Sequence, residues 1–253
     1  MKISTLLLAL PLLATGLFGC KKDSDAEPDT GSFTIHMDAR VADNAFALGV
    51  PYTKADGQTF TASTFKYYVS NFRLLRADGS SYAVPESYYL VDAFRPLTAQ
   101  LTFNDIPAGE YTGISFLAGV DAPRNSAGAQ TGALDPNNGM FWDWMQGYIF
   151  TKLEGSSPNS PSGAITFHVG GVSNIRTITP SFGTAKLTIG HDHDHTPSIH
   201  MLVTPLSMLE SSTPANRIDF TTTYRVMDNH PAAPLIADNI AAGMFTVGHI
   251  HND

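Results

Sequence analysis

The chain contains little cysteine and little positive charge. Cys20 is its single cysteine among 253 residues, which excludes an intramolecular disulfide. Lysine and arginine together number 15 against 23 acidic residues and form no cluster, which argues against nucleic-acid binding. Nucleophile-elbow, zinc-protease and phosphate-loop motifs are absent as well, so the sequence gives no support for enzymatic activity.

The N-terminal residues have the pattern of an export signal. Lys2 precedes an apolar run at 6–13, which is too short to span a membrane as a helix. Cys20 stands at the cleavage position of a lipoprotein signal, although an ordinary cysteine behind a secretory signal is the alternative. We therefore predict a signal peptide at 1–19, a lipidated Cys20 and flexible tether at 20–32, and one folded domain at 33–253. Lys21 resembles the sorting residue of outer-membrane lipoproteins, which face the periplasm or the cell surface.

The rest of the chain predicts an all-β, single-domain fold. Short segments rich in β-branched and aromatic residues alternate with Gly, Pro and Asp turns, and no long amphipathic helical period is present. This pattern is typical of a β-sandwich or a barrel-like fold with long functional loops. Strands are predicted in these segments: 33–37, 65–75, 81–84, 88–91, 111–117, 164–169, 185–189, 201–203 and 244–247. Short helical turns are predicted at 207–210 and 232–242.

A long segment without strand pattern, at 121–139, leads into the most distinctive part of the sequence. Residues 139–148, here called the Trp motif, hold both tryptophans of the chain, Trp142 and Trp144, together with Met140. Long ordered loops in compact domains are usually functional, so we expect this one to support a site. Two tryptophans at alternate positions of an extended segment point to the same face. The alternative is that both are packing aromatics.

Several histidines are candidate metal ligands. His168 ends a predicted strand and precedes two glycines, which allow close approach of the backbone. His249 and His251 share one face at a spacing of two, and His249 is the better candidate. His36 lies in an alternating strand, where a hydrogen-bonded structural role is the alternative. Imidazole and thioether groups such as that of Met140 suit a soft metal.

Residues 191–195, here called the His tract, carry three alternate histidines. His191, His193 and His195 are expected to bind metals weakly in almost any solvated loop. The tract either collects metal at low affinity or has no role.

Taken together, these motifs resemble the MbnP-like copper-binding proteins of methanobactin systems. The resemblance runs from about residue 33 to residue 251. Its most specific parts are Lys-Tyr-Tyr-Val-Ser-Asn at 66–71, Ile-Pro-Ala-Gly-Glu-Tyr at 106–111, Gly-Met-Phe-Trp-Asp-Trp at 139–144 and His-Val-Gly-Gly at 168–171. Further matching residues lie at 119–121, 124–125, 132–136, 147–150, 152–155 and 237–239.

The resemblance implies a β-rich extracytoplasmic protein that binds copper, with Cu(I) favoured. In characterised relatives, histidine and a kynurenine made from tryptophan hold the metal, and a diheme cytochrome c peroxidase-like partner makes the kynurenine. By position, Trp142 or Trp144 would be modified, and Trp142 is favoured. Some relatives carry a histidine two residues after the modified tryptophan, where this chain has Trp144.

The sequence thus favours a lipid-anchored copper protein for copper acquisition or storage, with no enzymatic activity of its own. Its membrane contact would be the lipid anchor alone. The alternative from a different class is a surface β-sandwich that recognises glycan or protein, with the tryptophans as an exposed stacking platform.

Overall fold

The computed structural model describes residues 29–143, 145–190, 196–227 and 229–252. Cys20, the signal peptide, most of the tether, Trp144 and the histidines of the His tract lie outside these residues. Among the described residues, no helix is both long enough and apolar enough to cross a membrane.

The predicted all-β class is confirmed: strands dominate, and the sheets curl into a half-barrel. The strands are β1 Thr30–Val41, β2 Asn44–Ala45, β3 Pro51–Thr53, β4 Thr59–Leu75, β5 Ser81–Ala83, β6 Tyr88–Asp92, β7 Gln100–Pro107, β8 Gly109–Tyr111, β9 Gly113–Ala118, β10 Phe141–Asp143, β11 Gly147–Ser156, β12 Ala164–Gly170, β13 Arg176–Ile178, β14 Leu187–Ile189, β15 Ser198–Val203, β16 Arg225–Val226 and β17 Phe245–His251. The α-helices are α1 Ala122–Asn125 and α2 Ala233–Gly243. Short 3₁₀ turns occupy Pro96–Thr98, Gly132–Leu134, Pro136–Asn138, Val172–Asn174, Pro205–Met208 and Pro214–Asn216.

Two large sheets form the body of the fold. The first sheet runs β17-β15-β1-β2, with β7 also paired to β1. The second runs β13-β9-β4-β11-β12-β16, and β3, β5, β6 and β10 extend it. β4 is the central element of the second sheet, since it pairs with β3, β5, β6, β9 and β11 along its 17 residues. β1 and β15 run parallel, which brings distant parts of the chain side by side.

The main hydrophobic core lies between the inner faces of these two sheets. Ile35 of β1 and Phe167 of β12 are both fully buried in it. Tyr67 of β4 meets Phe245 of β17 edge-on, with ring centroids 5.6 Å apart. Because side chains alternate along a strand, the neighbours of these residues point to the outer faces of the two sheets.

A second, smaller core covers part of the outer face of the second sheet. The segment 121–139 is ordered and contains α1 and two 3₁₀ turns, so the expectation of an ordered loop is confirmed. Leu134 and Met140 from this side pack on Tyr68, Tyr148 and Phe150 of the sheet. The long loop is therefore held down by its own apolar residues, and it delivers β10 to the edge of β11.

Candidate functional site

The candidate ligands that belong to the described residues fall in two places on the fold. Trp142, Met140 and His168 belong to the second sheet or to the loop that covers it, whereas His36 and His249 belong to the first sheet. His168 alternates with Phe167, and His36 alternates with Ile35, so each histidine points away from the shared core. The two groups consequently lie on opposite outer faces of the fold.

Trp142 is fixed by close packing against a glycine. Its strand follows a turn in which the Asp135 side chain accepts a hydrogen bond from the Asn137 amide, and Gly139 then adopts a left-handed conformation with φ 72°. A Cβ placed on Gly170 would come 2.6 Å from Cζ3 of Trp142. Only glycine at position 170 therefore lets the indole lie this close to the end of β12.

The indole of Trp142 carries a buried polar atom without a partner. Its Nε1 has no hydrogen-bond acceptor among the described residues. The ring is half-buried and lines a pocket of about 210 Å³ with Asn125, Gln146 and Gly171. Buried tryptophan N–H groups usually find an acceptor, so this atom is a candidate contact for a ligand.

Met140 is placed differently from its tryptophan neighbour. It is fully buried in the second core, together with Leu134 and Tyr148. Its thioether thus helps to hold the loop that carries Trp142. Its assignment as a metal ligand stays a prediction.

His168 is a buried imidazole oriented by a carboxylate. It lies opposite Lys152 in the β11–β12 pair, and its Nε2 is 2.7 Å from Oε1 of Glu154. Burial lowers the pKa of His168, and the hydrogen bond to Glu154 opposes that shift. Its Nδ1 is buried and has no partner among the described residues. If Nε2–H donates to Glu154, the lone pair of Nδ1 is left available to a ligand.

His168 and the Trp142 pocket share one face of β12. His168 and Gly170 are alternate residues, so they lie about 7 Å apart along the strand on the same face. Trp142 packs over Gly170. His168 itself lines a neighbouring pocket with Thr166, Arg225 and Met227.

The outer face of the first sheet holds a second group, here called the histidine ladder: His36, His200, His249 and His251. His36 lies opposite His200 in the parallel β1–β15 pair, and His200 lies opposite His249 in the β15–β17 pair. The rings of His36 and His200 stack at 4.9 Å, and those of His200 and His249 at 4.2 Å. One ligand nitrogen from each of His200, His249 and His251 lies within 4.8 Å of the other two.

A β-bulge at Gly248 sets the direction of the last two histidines. Val247 pairs with Met201, but His249 pairs with His200, so Gly248 is an extra residue in β17. A regular alternation from Val247 would have put His249 on the core face. The bulge reverses the alternation, so Ile250 packs on the core and both histidines are exposed.

The environment of His200 favours its neutral imidazole. Burial lowers the pKa of His200, and the neighbouring His249 and His36 lower it further, while Asp38 opposes them. The Asp38 carboxylate is 3.8 Å from Nδ1 of His200. Neutral imidazole is the form that binds transition metals.

His200 is the ladder residue that the sequence analysis did not single out. A signal was present, because Ile35-His36-Met37 and Ile199-His200-Met201 repeat the same apolar–His–apolar pattern. In the structure these two segments pair residue for residue. The repeat is visible in the sequence, but its meaning depends on a parallel pairing between distant strands.

Comparison with known proteins identifies the family. The MbnP family model matches residues 30–228. The chain belongs to the MbnP family. The resemblance inferred from the sequence is thereby confirmed. A search of curated proteins finds no match.

A solved structure of a family member shares the fold. MbnP from Methylosinus trichosporium matches with a TM-score of 0.53 and 16% identity, over 82% of this chain and 87% of that one. His249 and His251 of the ladder lie beyond the residues that the family model matches.

Proposed function

We propose that this MbnP-family chain is an extracytoplasmic copper-binding lipoprotein whose Trp142 is oxidised to kynurenine by a diheme cytochrome c peroxidase-like partner. The observation that carries the proposal is a pair of buried nitrogens beside β12 that have no hydrogen-bond partner among the described residues, Nε1 of Trp142 and Nδ1 of His168. Buried polar atoms are nearly always hydrogen-bonded. Two exceptions near the end of β12 therefore support a site that a ligand completes.

The residues on this face fit a copper ion. His168 would supply a neutral nitrogen, and Glu154 would hold its ring and tautomer from the other side, as second-shell carboxylates do for metal-bound histidines. Trp142 would supply the second group after oxidation, since an intact indole offers no lone pair to a metal. Soft Cu(I) accepts nitrogen and thioether ligands, and Met140 stays a candidate.

The oxidation has a defined balance. The C2–C3 bond of the indole breaks, and each of its two carbons gains one oxygen atom. Two molecules of peroxide supply these atoms and leave as two molecules of water. Hydrolysis of the resulting N-formylkynurenine releases formate and gives kynurenine with a free aryl amine. The partner enzyme supplies the oxidising equivalents, and this chain supplies the positioned indole.

The proposal includes a location and a biological role. Cys20 would be lipidated, which would place the domain at the outer membrane, on its periplasmic face or at the cell surface. The role would be copper acquisition or storage, and the chain itself would have no catalytic activity. The partial burial of Trp142 against Gly170 favours this function over glycan or protein recognition, which needs a flat, exposed ring.

Peptide mass spectrometry on protein from its native cells, with metal analysis, tests the proposal. The expected result is loss of one carbon and gain of one oxygen on Trp142, together with bound copper. Trp142→Phe should abolish the modification and the copper held beside β12, whereas Trp144→Phe serves as the matched control. Unmodified tryptophans in metal-free protein would overturn the proposal. Modification of Trp144 alone would overturn the assignment to Trp142.

A further inference from the structure

The histidine ladder lies outside the proposed copper site and has its own geometry. It is on the other sheet, on the opposite outer face from Trp142 and His168. Two of its members also lie outside the residues that the family model matches. A metal site there would therefore not depend on the proposed oxidation of Trp142.

We propose that His200, His249 and His251 form a surface site for a divalent transition metal with nitrogen preference, Cu²⁺ ahead of Zn²⁺, flanked by His36. Their three candidate donor nitrogens already lie within 4.8 Å of one another. Tetrahedral nitrogen ligands at about 2.0–2.1 Å from a metal are separated by about 3.3 Å. Small rotations of these partly or fully exposed rings would close that difference.

The backbone assembles these donors in a way that chance surface histidines do not share. Three adjacent strands present His36, His200 and His249 in one row, and His251 follows one alternation later. Because the extra residue Gly248 is accommodated as a bulge, His249 and His251 lie on the same side as His200. The strands are anchored by buried neighbours such as Ile35 and Ile199, so the positions of the donors are fixed before a metal arrives.

The chemistry of the donors decides the class of metal. All three are imidazoles, and the carboxylate of Asp38 lies 3.8 Å from Nδ1 of His200. Imidazole suits copper, zinc and nickel, while Ca²⁺ and Mg²⁺ require oxygen ligands. Among divalent metals, Cu²⁺ binds such sites most tightly. The exposure of His249 and His251 leaves the site open to metal from solution.

The test uses full-length recombinant protein made without the partner enzyme, so that its tryptophans are unmodified. The parent variant carries His191→Asn, His193→Asn and His195→Asn, which removes binding by the His tract. Calorimetric titration with Cu²⁺, and separately with Zn²⁺, measures affinity, while electron paramagnetic resonance of the Cu²⁺ form counts the coordinated imidazole nitrogens.

In this parent, His200→Asn or His249→Asn should lower Cu²⁺ affinity at least about tenfold, because loss of even an outer-shell partner typically costs 10–100-fold. His230→Asn is the matched control: Nδ1 of His230 accepts a hydrogen bond from the Ala232 amide, and asparagine can replace that acceptor. The Cu²⁺ affinity of His230→Asn should equal that of the parent. Thermal melts without metal check that each variant is folded.

Two results would overturn the inference. One is unchanged Cu²⁺ affinity in both His200→Asn and His249→Asn. The other is a parent that has lost all binding, which would assign the metal to the His tract. Trp142→Phe should leave this titration unchanged, so failure of the proposed kynurenine site and failure of the ladder are told apart by different measurements.

Discussion

The two outer faces of the fold hold nitrogen donors in contrasting ways. On the second sheet, Trp142 and His168 are held by packing, with a glycine under one ring and a carboxylate against the other. On the first sheet, His200 and His249 are held by strand register and remain partly or fully exposed. Packing fixes the positions of the buried nitrogen donors but restricts the access of metal from solution. The exposed donors are accessible to metal, and their positions depend on strand pairing. Changes confined to one face should therefore leave the other intact.

The largest effect is expected from Gly170→Ala. The new methyl group would lie 2.4 Å from the Tyr148 carbonyl oxygen and 2.6 Å from Trp142, so the indole must move. We expect a loss of about 1–3 kcal/mol in the free energy of unfolding, the usual cost of overpacking. Urea denaturation measures it.

Gly243→Ala provides the matched control, because its Cβ would meet the Ser207 side chain only at 3.5 Å, an ordinary contact. Its stability should match or slightly exceed that of the native chain. Equal losses in the two variants would contradict the close packing argued for Trp142. In both variants the Cu²⁺ affinity of the ladder should be retained.

The next effect in size is expected from Glu154→Ala. This change leaves Nε2–H of His168 without its acceptor in a largely buried position. Copper affinity of the modified protein should fall about 10–100-fold, as for other lost second-shell partners. Copper competition against a chelator of known affinity measures the change.

Glu154→Gln keeps an acceptor oxygen and should restore much of the affinity. Equal losses in the two variants would show that the charge of Glu154 matters rather than its hydrogen bond. No loss in either would contradict the proposed role of Glu154 in orienting His168.

A smaller effect is expected from His36→Asn. His36 stacks on His200 but is not among the three residues whose donor atoms converge. Cu²⁺ affinity of the ladder should fall less than about tenfold, below the loss expected for removal of a ligand. Calorimetry in the parent lacking the His tract measures it, with His200→Asn alongside. A loss as large as that of His200→Asn would make His36 a ligand and the site a four-histidine one.

The smallest effect is expected from deletion of Gly248. The residue is an insertion in β17, and without it Val247 and His249 would still pair with Met201 and His200 as consecutive residues of a regular strand. Cu²⁺ affinity of the ladder should stay close to that of the parent. A loss comparable to that of His249→Asn would mean that the bulge itself shapes the site.

The two faces also differ in how far the sequence could predict them. The Trp motif, the ordered loop before it and the glycines after His168 are contiguous segments, and local reasoning found them. β7 and β11 were missed. β11 begins within the Trp motif and carries Lys152 and Glu154 on its outer face, which interrupts the apolar pattern. The all-β class survived these omissions, because it depends on the general turn and strand pattern.

The ladder could be predicted only in part. His36 and His249 were named, but His200 joins them through a parallel pairing between strands that are distant in sequence. Pairing register between distant strands is set by the packing of whole faces, and the bulge at Gly248 is a departure from simple alternation. The spacing of residues along the sequence predicts neither the β1–β15 pairing nor the bulge.

The parallel pairing of β1 with β15 has a consequence for the order of folding. The first sheet takes β1 from the beginning of the domain and β15 and β17 from its end. These strands can pair only after the chain between β1 and β15 has been brought into place, which costs conformational entropy and slows folding. The ladder nitrogens are scattered until that closure, and the chain gains the metal site only on reaching its native form. A metal bound there would stabilise the folded chain by mass action, because the unfolded chain lacks the assembled site.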